Sequence, residues 1–420
     1  MASIAAAETI RTRVEHALAA EQIDLTSEHG RARAGELIDE SIRAFKSQQL
    51  AGDGDLAGKE TLEALRRELR DELIGLGAIA EQMLSDEEAQ EWMINAPRRI
   101  FRDTGERIER VTTIAFADDR QLRAFLERLL EKVEGKRLDR ITPRVEARLP
   151  DGSRITAAIP PVSSNGHPIC SIRRFRLGAS SLDELQQLGF LSGQAANFLA
   201  ACVRAGKNIV VSGRVSSGKT TLLNALGKEI DTQERVVVCE SSAELQLPRV
   251  LPNCVGYEAR PGSTDGLPAV TLEDLVSDAL RMNPDRIVVG ECRGPETMAL
   301  LWSFATGHAG MTSIHGQSAE HALKNLVRFA LTGGARIEPD QALDWIRELD
   351  VVVHCDRPRD FSEGNFHPRR IDEIVEVTGV EGNRPTLNPL FEGQGAQLRW
   401  LGVRPRFAAE LANAGYQAAA

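Results

Sequence analysis

Apolar residues at intervals of three and four positions dominate the first 80 residues of the chain. This spacing places apolar side chains on one face of a helix. The two clearest stripes are Ile10, Val14 and Leu18, and Leu62, Leu65, Leu69 and Leu73. Residues 52–55 interrupt the pattern and predict a loop. We expect residues 1–80 to form a helical N-terminal appendage, either a small bundle or a surface that faces a partner subunit.

From about residue 85 the apolar pattern shortens to the two-residue period of β-strands. Strands are expected at residues 99–102, 111–114, 145–149 and 154–159. The Pro-Asp-Gly-Ser turn at 150–153 joins the last two into a hairpin, and a helix is expected over 121–133. Residues 85–178 are therefore predicted to be an α+β domain, followed by a linker at 176–184 with a helix cap at Ser181.

This α+β domain carries a cluster of arginines, namely Arg148, Arg154, Arg173, Arg174 and Arg176. Two interpretations stay open. The arginines form a solvated basic face, or some of them reach the phosphates of a nucleotide held by the next domain.

Residues 185–420 alternate between buried strands and helices, which predicts a parallel sheet. One apolar strand near residue 209 runs into Gly-x-x-x-x-Gly-Lys-Thr and then a helix, the pattern of a phosphate-binding loop. The glycines allow backbone amides to face a phosphate, Lys219 supplies positive charge, and the Thr220 hydroxyl suits Mg²⁺. We predict ATP and Mg²⁺ binding by Gly213, Ser216, Ser217, Gly218, Lys219, Thr220 and Thr221.

A second buried strand, at residues 285–291, ends in Glu291. Ligands of open parallel sheets bind at the carboxyl ends of the strands, so Glu291 is expected to face the phosphate loop. There it could polarise the attacking water or hold Mg²⁺ through water. His308 and His315 flank a short strand at 311–314, and they are either structural or sensors of the γ phosphate. The chain from residue 407 is expected to be a tail.

Composition narrows the class of protein only a little. The 420 residues have an ordinary apolar fraction, a net charge of −10 and no run of apolar residues long enough for a transmembrane helix. The acidic balance argues against broad coating of nucleic acid. Six scattered cysteines without a Cys-x-x-Cys pair suit reduced thiols, and we expect a cytoplasmic protein.

Several motifs occur together and in order: the phosphate loop, Val-Gly-Glu-x-Arg at 289–293, Thr-Ser-Ile-His ending at His315, and Arg-Leu-Pro-Asp-Gly-Ser-Arg at 148–154. As a set they resemble the ATPases of type II and type IV secretion systems, and most of all the Tad (CpaF-type) pilus assembly ATPases. The resemblance covers about residues 85–392. It implies a RecA-like P-loop domain in a cytoplasmic homohexamer, with nucleotide between the two domains. The implied partner is an inner-membrane platform protein, so membrane association is peripheral, and no direct nucleic acid is expected.

The resemblance also implies roles for individual residues. Glu291 matches the Walker B acid, His315 the family's histidine, and Glu240, with Glu244, the acidic box after the second strand. Arg260 matches an arginine that contributes to the nucleotide site. The implied catalytic set is therefore Glu291, Glu240, Lys219, His315 and Arg260; the implied metal set is Thr220, Glu240 and Glu291; and Arg148, Arg154 and Arg173 are implied to approach the phosphates.

Two departures from the family pattern leave the working rate open. The acidic box reads Glu240-Ser241 where the family usually has Glu-Asp, and the segment between the histidines is one residue shorter and lacks an acid. Three functions follow as candidates: an active ATP-driven pilus motor, a weakly hydrolysing nucleotide-gated scaffold of the same machine, or a conjugal DNA-transfer motor. The sequence does not rank Glu240 and Glu291 as the residue that activates water.

Overall fold

The structure is a computed structural model, and it describes residues 2–21, 23, 28–50, 66, 78–131, 133, 135–175, 181–260, 262, 268–333, 337–358, 368–394 and 397–416. The chain divides into two compact units, residues 1–176 and 177–420. The finer boundaries predicted at residues 80–85 and 178–185 stay predictions.

The first unit begins with helices. They are α1 (Ala2–Ala20), α2 (Glu28–Leu50), α3 (Ala78–Ser85) and, further along, α4 (Asp119–Glu131). Helix α1 buries Ile10 and Val14 of the first predicted stripe. The leucine stripe at 62–73 and the loop at 52–55 lie outside the described residues.

An antiparallel sheet forms the rest of the first unit, in the order β3-β2-β1-β6-β5-β4. Its strands are β1 (Glu91–Ala96), β2 (Arg99–Asp103), β3 (Ile108–Val111), β4 (Arg144–Arg148), β5 (Arg154–Ala158) and β6 (Ile169–Arg173). Helix α4 buries Leu122, Phe125 and Leu126 in one core with Trp92 of β1. The sheet face that Trp92 belongs to is therefore covered by this helix.

The predicted strand at 111–114 is wrong, because β3 ends where that strand was expected to begin. Ile114 and Phe116 are apolar for another reason. They leave the sheet and enter the core beside α4, where the Phe116 and Phe125 ring centroids lie 5.2 Å apart. Strands β1 and β6 had no counterpart in the prediction.

The second unit alternates helices and strands. Its described helices are α5 (Leu182–Gln187), α6 (Gly193–Arg204), α7 (Lys219–Gly227), α8 (Leu247–Val250), α9 (Leu272–Ala279), α10 (Glu296–Ala305), α11 (Ala319–Ala330), α12 (Pro339–Ile346) and α13 (Ala408–Asn413). Its described strands are β7 (Ile209–Gly213), β8 (Val236–Glu240), β9 (Cys254–Glu258), β10 (Arg286–Cys292), β11 (Ala309–His315), β12 (Val351–Asp356), β13 (Arg370–Glu381), β14 (Arg384–Gln394) and β15 (Gln397–Trp400). Ser181 caps α5 as expected, by accepting a hydrogen bond from the Glu184 amide.

These strands form one sheet in the order β15-β14-β13-β12-β7-β11-β10-β8-β9. The pairs from β12 to β9 are parallel, and β13, β14 and β15 add an antiparallel meander beside β12. Apolar cores cover both faces, so the central strands are buried on both sides. The predicted fold class is confirmed: an α/β P-loop domain that follows an α+β domain and N-terminal helices.

The end of the chain is not the tail that its alanines suggested. Phe407 and Leu411 are buried, and the Tyr416 ring lies edge-on to Phe198 of α6 at a centroid distance of 5.7 Å. The Phe198 ring also packs against Phe391 and Trp400. Because small alanines carry no apolar periodicity, the sequence hid this docked segment.

Among the helices that the structure describes, none has both the length and the apolar character needed to cross a bilayer.

Candidate functional site

Strand β7 holds the phosphate-loop sequence at its carboxyl end. The strand is fully buried and pairs in parallel with β11 on one side and β12 on the other. The chain then turns through residues 213–218 and enters α7 at Lys219. The loop is thus fixed by a buried strand before it and a helix after it, as the sequence predicted.

Both motif glycines are required by the shape of this loop. Gly213 has a φ of +155°, and a Cβ atom there would lie 2.4 Å from both the Cys355 carbonyl oxygen and Ser217 Oγ. Gly218 has a φ of +101°, and its Cβ would lie 2.8 Å from the Phe190 ring. Residues other than glycine rarely adopt these φ values, and a side chain at either position would also collide with the neighbouring atoms.

Hydrogen-bond donors converge on the middle of the loop. Lys219 is buried, and its Nζ donates to the Arg214 carbonyl at 3.1 Å. The Ser217 amide points to the same carbonyl at 3.4 Å. Ser217 Oγ is buried and has no hydrogen-bond partner among the described residues. A buried polar atom left unsatisfied is costly, and a phosphate oxygen would supply what this group lacks. The arrangement therefore fits the phosphates of a nucleotide at the start of α7.

Thr220 lies on the first turn of α7 and contacts an acidic residue. Its Oγ1 donates to Glu244 Oε2 at 3.3 Å. In the part of the chain that the structure describes, no group of three His, Cys, Asp or Glu side chains could hold a metal ion. Mg²⁺ usually takes one or two protein oxygens together with phosphate oxygens and waters. Thr220, with Glu244 beside it, could hold it, and the metal roles implied for Glu240 and Glu291 stay predictions.

Glu240, at the end of β8, binds the backbone of the loop that follows this strand. It is buried, and its Oε1 accepts hydrogen bonds from the amides of Glu244 at 2.9 Å and Leu245 at 3.0 Å. Gly290 of β10 leaves room for it, since a Cβ there would lie 2.8 Å from Glu240 Cγ. Glu240 therefore shapes the turn that presents Glu244 to Thr220.

Glu291, near the end of β10, forms a tight charged cluster with two neighbours. Its Oε1 lies 2.7 Å from His315 Nε2, and its Oε2 accepts from Arg293 Nη2 at 2.6 Å. The register of β10 with β11 shifts between Val289 and Cys292. An irregularity of this kind changes the direction of the side chains within it, which here include Glu291. Burial raises the pKa of the Glu291 carboxyl, but the adjacent His315 ring and Arg293 guanidinium outweigh it and lower that pKa to about 2.

His315 connects this cluster to the phosphate loop. Its Nδ1 lies 3.2 Å from Lys219 Nζ and 3.4 Å from the Gly213 carbonyl oxygen. The backbone carbonyl of His315 accepts a hydrogen bond from Asn325 Nδ2 at 2.9 Å. When Lys219 donates to Nδ1, the ring proton resides on Nε2. Nε2 is close to Glu291 Oε1, but its direction does not make a hydrogen bond, and Oε1 has no hydrogen-bond partner among the described residues. Lys219 of α7, His315 of β11 and Glu291 of β10 thus form a row of close contacts, and Arg293, just after β10, ends it.

The two histidines that flank β11 have different positions. His308 precedes the strand at its amino end, whereas His315 ends it, so they are separated by about 20 Å of extended chain. The suggestion that both sense a phosphate is therefore wrong for His308, whose ring lies 3.2 Å from the Ser303 carbonyl oxygen.

Of the predicted arginines, Arg260 lies away from this row within the second unit. Arg260 follows β9, four strands from β7, and its Nη2 donates to the Pro268 carbonyl at 3.2 Å. In the first unit, Arg148 pairs directly with Arg154 across β4 and β5, and Arg154 pairs with Arg173 across β5 and β6. Three positive side chains are thus concentrated at opposed register positions, where like charges repel. Each stays a predicted phosphate contact.

Sequence reasoning missed two contributors. Arg293 was used as part of the Val-Gly-Glu-x-Arg motif but was given no role, although it is the residue that contacts Glu291. Phe190 supports Gly218 from beneath, and no motif marks it. The spacing of Arg293 two residues after Glu291 was the available signal for the first, while the second depends on tertiary packing alone.

The chain matches the model of the type II/IV secretion system protein family over residues 76–356. It is 35% identical over 337 residues to the Mycobacterium tuberculosis (strain H37Rv) protein named "Putative conjugal transfer protein Rv3659c", covering 78% of this chain and 91% of that one. The type IV secretion system protein PtlH of Bordetella pertussis is 34% identical over 263 residues, with 57% of this chain and 76% of PtlH covered.

Among solved structures, the Legionella pneumophila ATPase DotB is similar in fold. The TM-score is 0.50 at 21% identity, with 71% of this chain and 79% of that chain covered. The family match spans more than half of the chain, and the mycobacterial relative is aligned over nearly its whole length. The chain therefore belongs to the type II/IV secretion system protein family.

Proposed function

We propose that this secretion ATPase is a cytoplasmic homohexamer that hydrolyses Mg²⁺-bound ATP at the 213–220 loop to drive assembly, with or without retraction, of a Tad-type pilus or a related secretion machine. The observation that carries the proposal is the row from Lys219 through His315 to Glu291 at the carboxyl ends of adjacent strands. That edge of a parallel sheet is where phosphoryl-transfer chemistry takes place in this class of fold.

The loop residues bind and orient the nucleotide. The amides at the start of α7 and the Lys219 ammonium group neutralise phosphate charge, and Lys219 exchanges the Arg214 carbonyl for a charged oxygen, which is the stronger acceptor. Bound Mg²⁺ would add further neutralisation of the β and γ phosphates, held by Thr220 with Glu244 beside its water shell. Glu240 keeps Glu244 in place through two backbone hydrogen bonds.

Glu291 acts on the attacking water by charge and orientation more than by accepting its proton. A carboxylate whose pKa is held near 2 is a weak base, and a strong general base needs a pKa close to the working pH. The ionised group can still accept a hydrogen bond from water and align it with the γ phosphate. His315 couples this water site to Lys219, so that both ends of the row respond to the same phosphate.

In the assembled ring, Arg260 acts on the nucleotide of a neighbouring subunit and not on that of its own subunit. Its side chain lies four strands from β7, beside the edge strand β9, and it is exposed. An exposed arginine at the sheet edge is well placed to meet the nucleotide of a neighbouring subunit, where it would stabilise transition-state charge. The arginines of the first unit remain predicted phosphate contacts. The partner of the ring is proposed to be an inner-membrane platform protein, which would give peripheral attachment to the membrane.

Replacing Lys219 by Ala should lower steady-state ATP hydrolysis by at least about a hundredfold, because a preorganised charge at the transferred phosphate is lost. Phosphate release is the measurement, and Lys228→Ala, at the exposed end of the same helix, is the control. Unchanged turnover in Lys219→Ala would end the proposal. A wild-type rate no higher than that of Lys219→Ala, with tight ATP binding retained, would support the nucleotide-gated scaffold instead.

The pH profile of hydrolysis separates the two possible roles of Glu291. Because its folded-state pKa is depressed to about 2, the carboxylate stays ionised at every pH above about 4. Glu291→Gln should therefore lower kcat by about a hundredfold at all values from pH 5 to pH 8, without changing the shape of the profile. Glu320→Gln, on the exposed face of α11, is the control. An acidic limb above pH 5 that disappears in Glu291→Gln would contradict the assignment.

Particle mass tests the ring. With a non-hydrolysable ATP analogue and Mg²⁺, light scattering should report about six subunits, since oligomers close by symmetry around a shared interface. Lys219→Ala should need more nucleotide to reach the same mass. A monomer or dimer at every nucleotide concentration would rule out the hexameric motor.

A conjugal DNA-transfer motor is the second candidate, favoured by the mycobacterial relative whose name refers to conjugal transfer. The net charge of −10 argues for a protein partner instead. We expect hydrolysis by the assembled wild type to be unaffected by single- or double-stranded DNA at low salt. A severalfold, salt-sensitive stimulation by DNA would reverse the preference.

A further inference from the structure

The phosphate loop is held from outside by a residue far along the chain. Arg369 immediately precedes β13, and its Nε donates to the Ser216 carbonyl at 2.8 Å. Its aliphatic stem runs beside the loop, since Cδ would lie 3.8 Å from a Cβ placed on Gly218. Arg369 therefore touches the loop at the peptide that joins Ser216 to Ser217.

Ser216 is in a conformation that needs such support. Its φ of +59° lies in the left-handed region, which costs free energy for any residue with a Cβ. Rotation about the N–Cα bond of Ser216 to a negative φ would relieve this cost, and it would swing the Ser216 carbonyl group away from its present position. The hydrogen bond from Arg369 opposes that rotation, because the carbonyl oxygen would have to leave a charged donor.

Holding this carbonyl outward also directs an amide inward. The peptide is planar and trans, so the Ser216 C=O and the Ser217 N–H point in opposite directions. The Ser217 amide accordingly faces the loop interior, where it lies 3.4 Å from the Arg214 carbonyl oxygen. Lys219 Nζ points at the same oxygen. These two donors mark the position at which a phosphate oxygen is to be bound.

The position of Arg369 is itself fixed. Two residues later, the Ile371 amide donates to the Phe190 carbonyl at 2.8 Å, and Ile371 is buried and pairs with Cys355 of β12. Phe190 is buried as well, and its ring supports Gly218. The start of β13 and the loop thus share one support, so the guanidinium reaches Ser216 from a rigid element.

We propose that Arg369 is a positioning residue for nucleotide binding: it holds the 216–217 peptide in the orientation that presents the Ser217 amide to a phosphate. The inference rests on the proposed function, and it adds a residue that no motif contains. It acts on the loop before and after the γ phosphate is transferred. The lost interaction should therefore weaken ground state and transition state alike, which raises KM and leaves kcat nearly unchanged.

The test compares Arg369→Gln with Arg369→Lys and with Arg404→Gln, an exposed arginine of the same unit. For Arg369→Gln we expect the Kd for ADP by calorimetry and the KM for ATP to rise about tenfold, with kcat within about threefold of wild type. Arg369→Lys should recover part of the affinity, because an ammonium group can donate to the same carbonyl. Arg404→Gln should match wild type.

A second substitution asks whether the effect passes through Ser216. Glycine adopts positive φ readily, so in a Ser216→Gly background the loop holds its shape with less help. The loss caused by Arg369→Gln should then be smaller than in the wild-type background, which a double-mutant cycle measures. Equal losses in both backgrounds would overturn this route.

These measurements distinguish the proposed role of Arg369 from the proposed ATPase function. Wild type that neither binds nor hydrolyses nucleotide would refute the proposed function and, with it, this role. Wild type that is active while Arg369→Gln binds ADP equally well would refute only the role of Arg369. A fall in kcat with unchanged KM, together with a lower melting temperature in the absence of nucleotide, would show a merely structural residue.

Discussion

The site depends on the burial of β7 between β11 and β12. None of the predicted catalytic side chains belongs to β7. Its register with both neighbours nevertheless fixes where the loop begins and places His315, at the end of β11, opposite Gly213. Gly213 is squeezed against the Cys355 carbonyl of β12 on one side, and the His315 ring approaches Gly213 from the other. The shape of the loop is therefore a consequence of sheet packing. The glycines are needed because only they adopt the backbone conformation that this packing requires.

A charged row extends from this loop to the next parallel strands. The Lys219 ammonium group, the His315 ring and the Glu291 carboxylate alternate in sign or polarity, and Arg293 closes the end. Arg293 satisfies Glu291 Oε2, whereas Oε1 is a buried acceptor without a hydrogen-bond partner among the described residues, which a water molecule could supply. The row therefore links the phosphate loop to Glu291 through direct contacts between side chains.

The sequence located the parts of the site that are local in the chain and misjudged those that are not. The phosphate loop and Glu291 were found because strand, turn and helix signals sit side by side in the sequence. The division of labour between Glu240 and Glu244 could not be predicted, since it depends on which carboxyl the backbone amides of the turn select. Phe190 and Arg369 contact the loop from distant parts of the chain, and tertiary contacts of this kind have no local signature in the sequence.

The most direct test of this site is a solved complex with a non-hydrolysable ATP analogue and Mg²⁺. We expect phosphate oxygens within hydrogen-bond distance of the loop amides, Lys219 Nζ moved from the Arg214 carbonyl to the β and γ phosphates, and Glu291 facing the γ phosphate. A nucleotide bound elsewhere, or a loop in which Lys219 still contacts Arg214 while the analogue is present, would contradict this expectation.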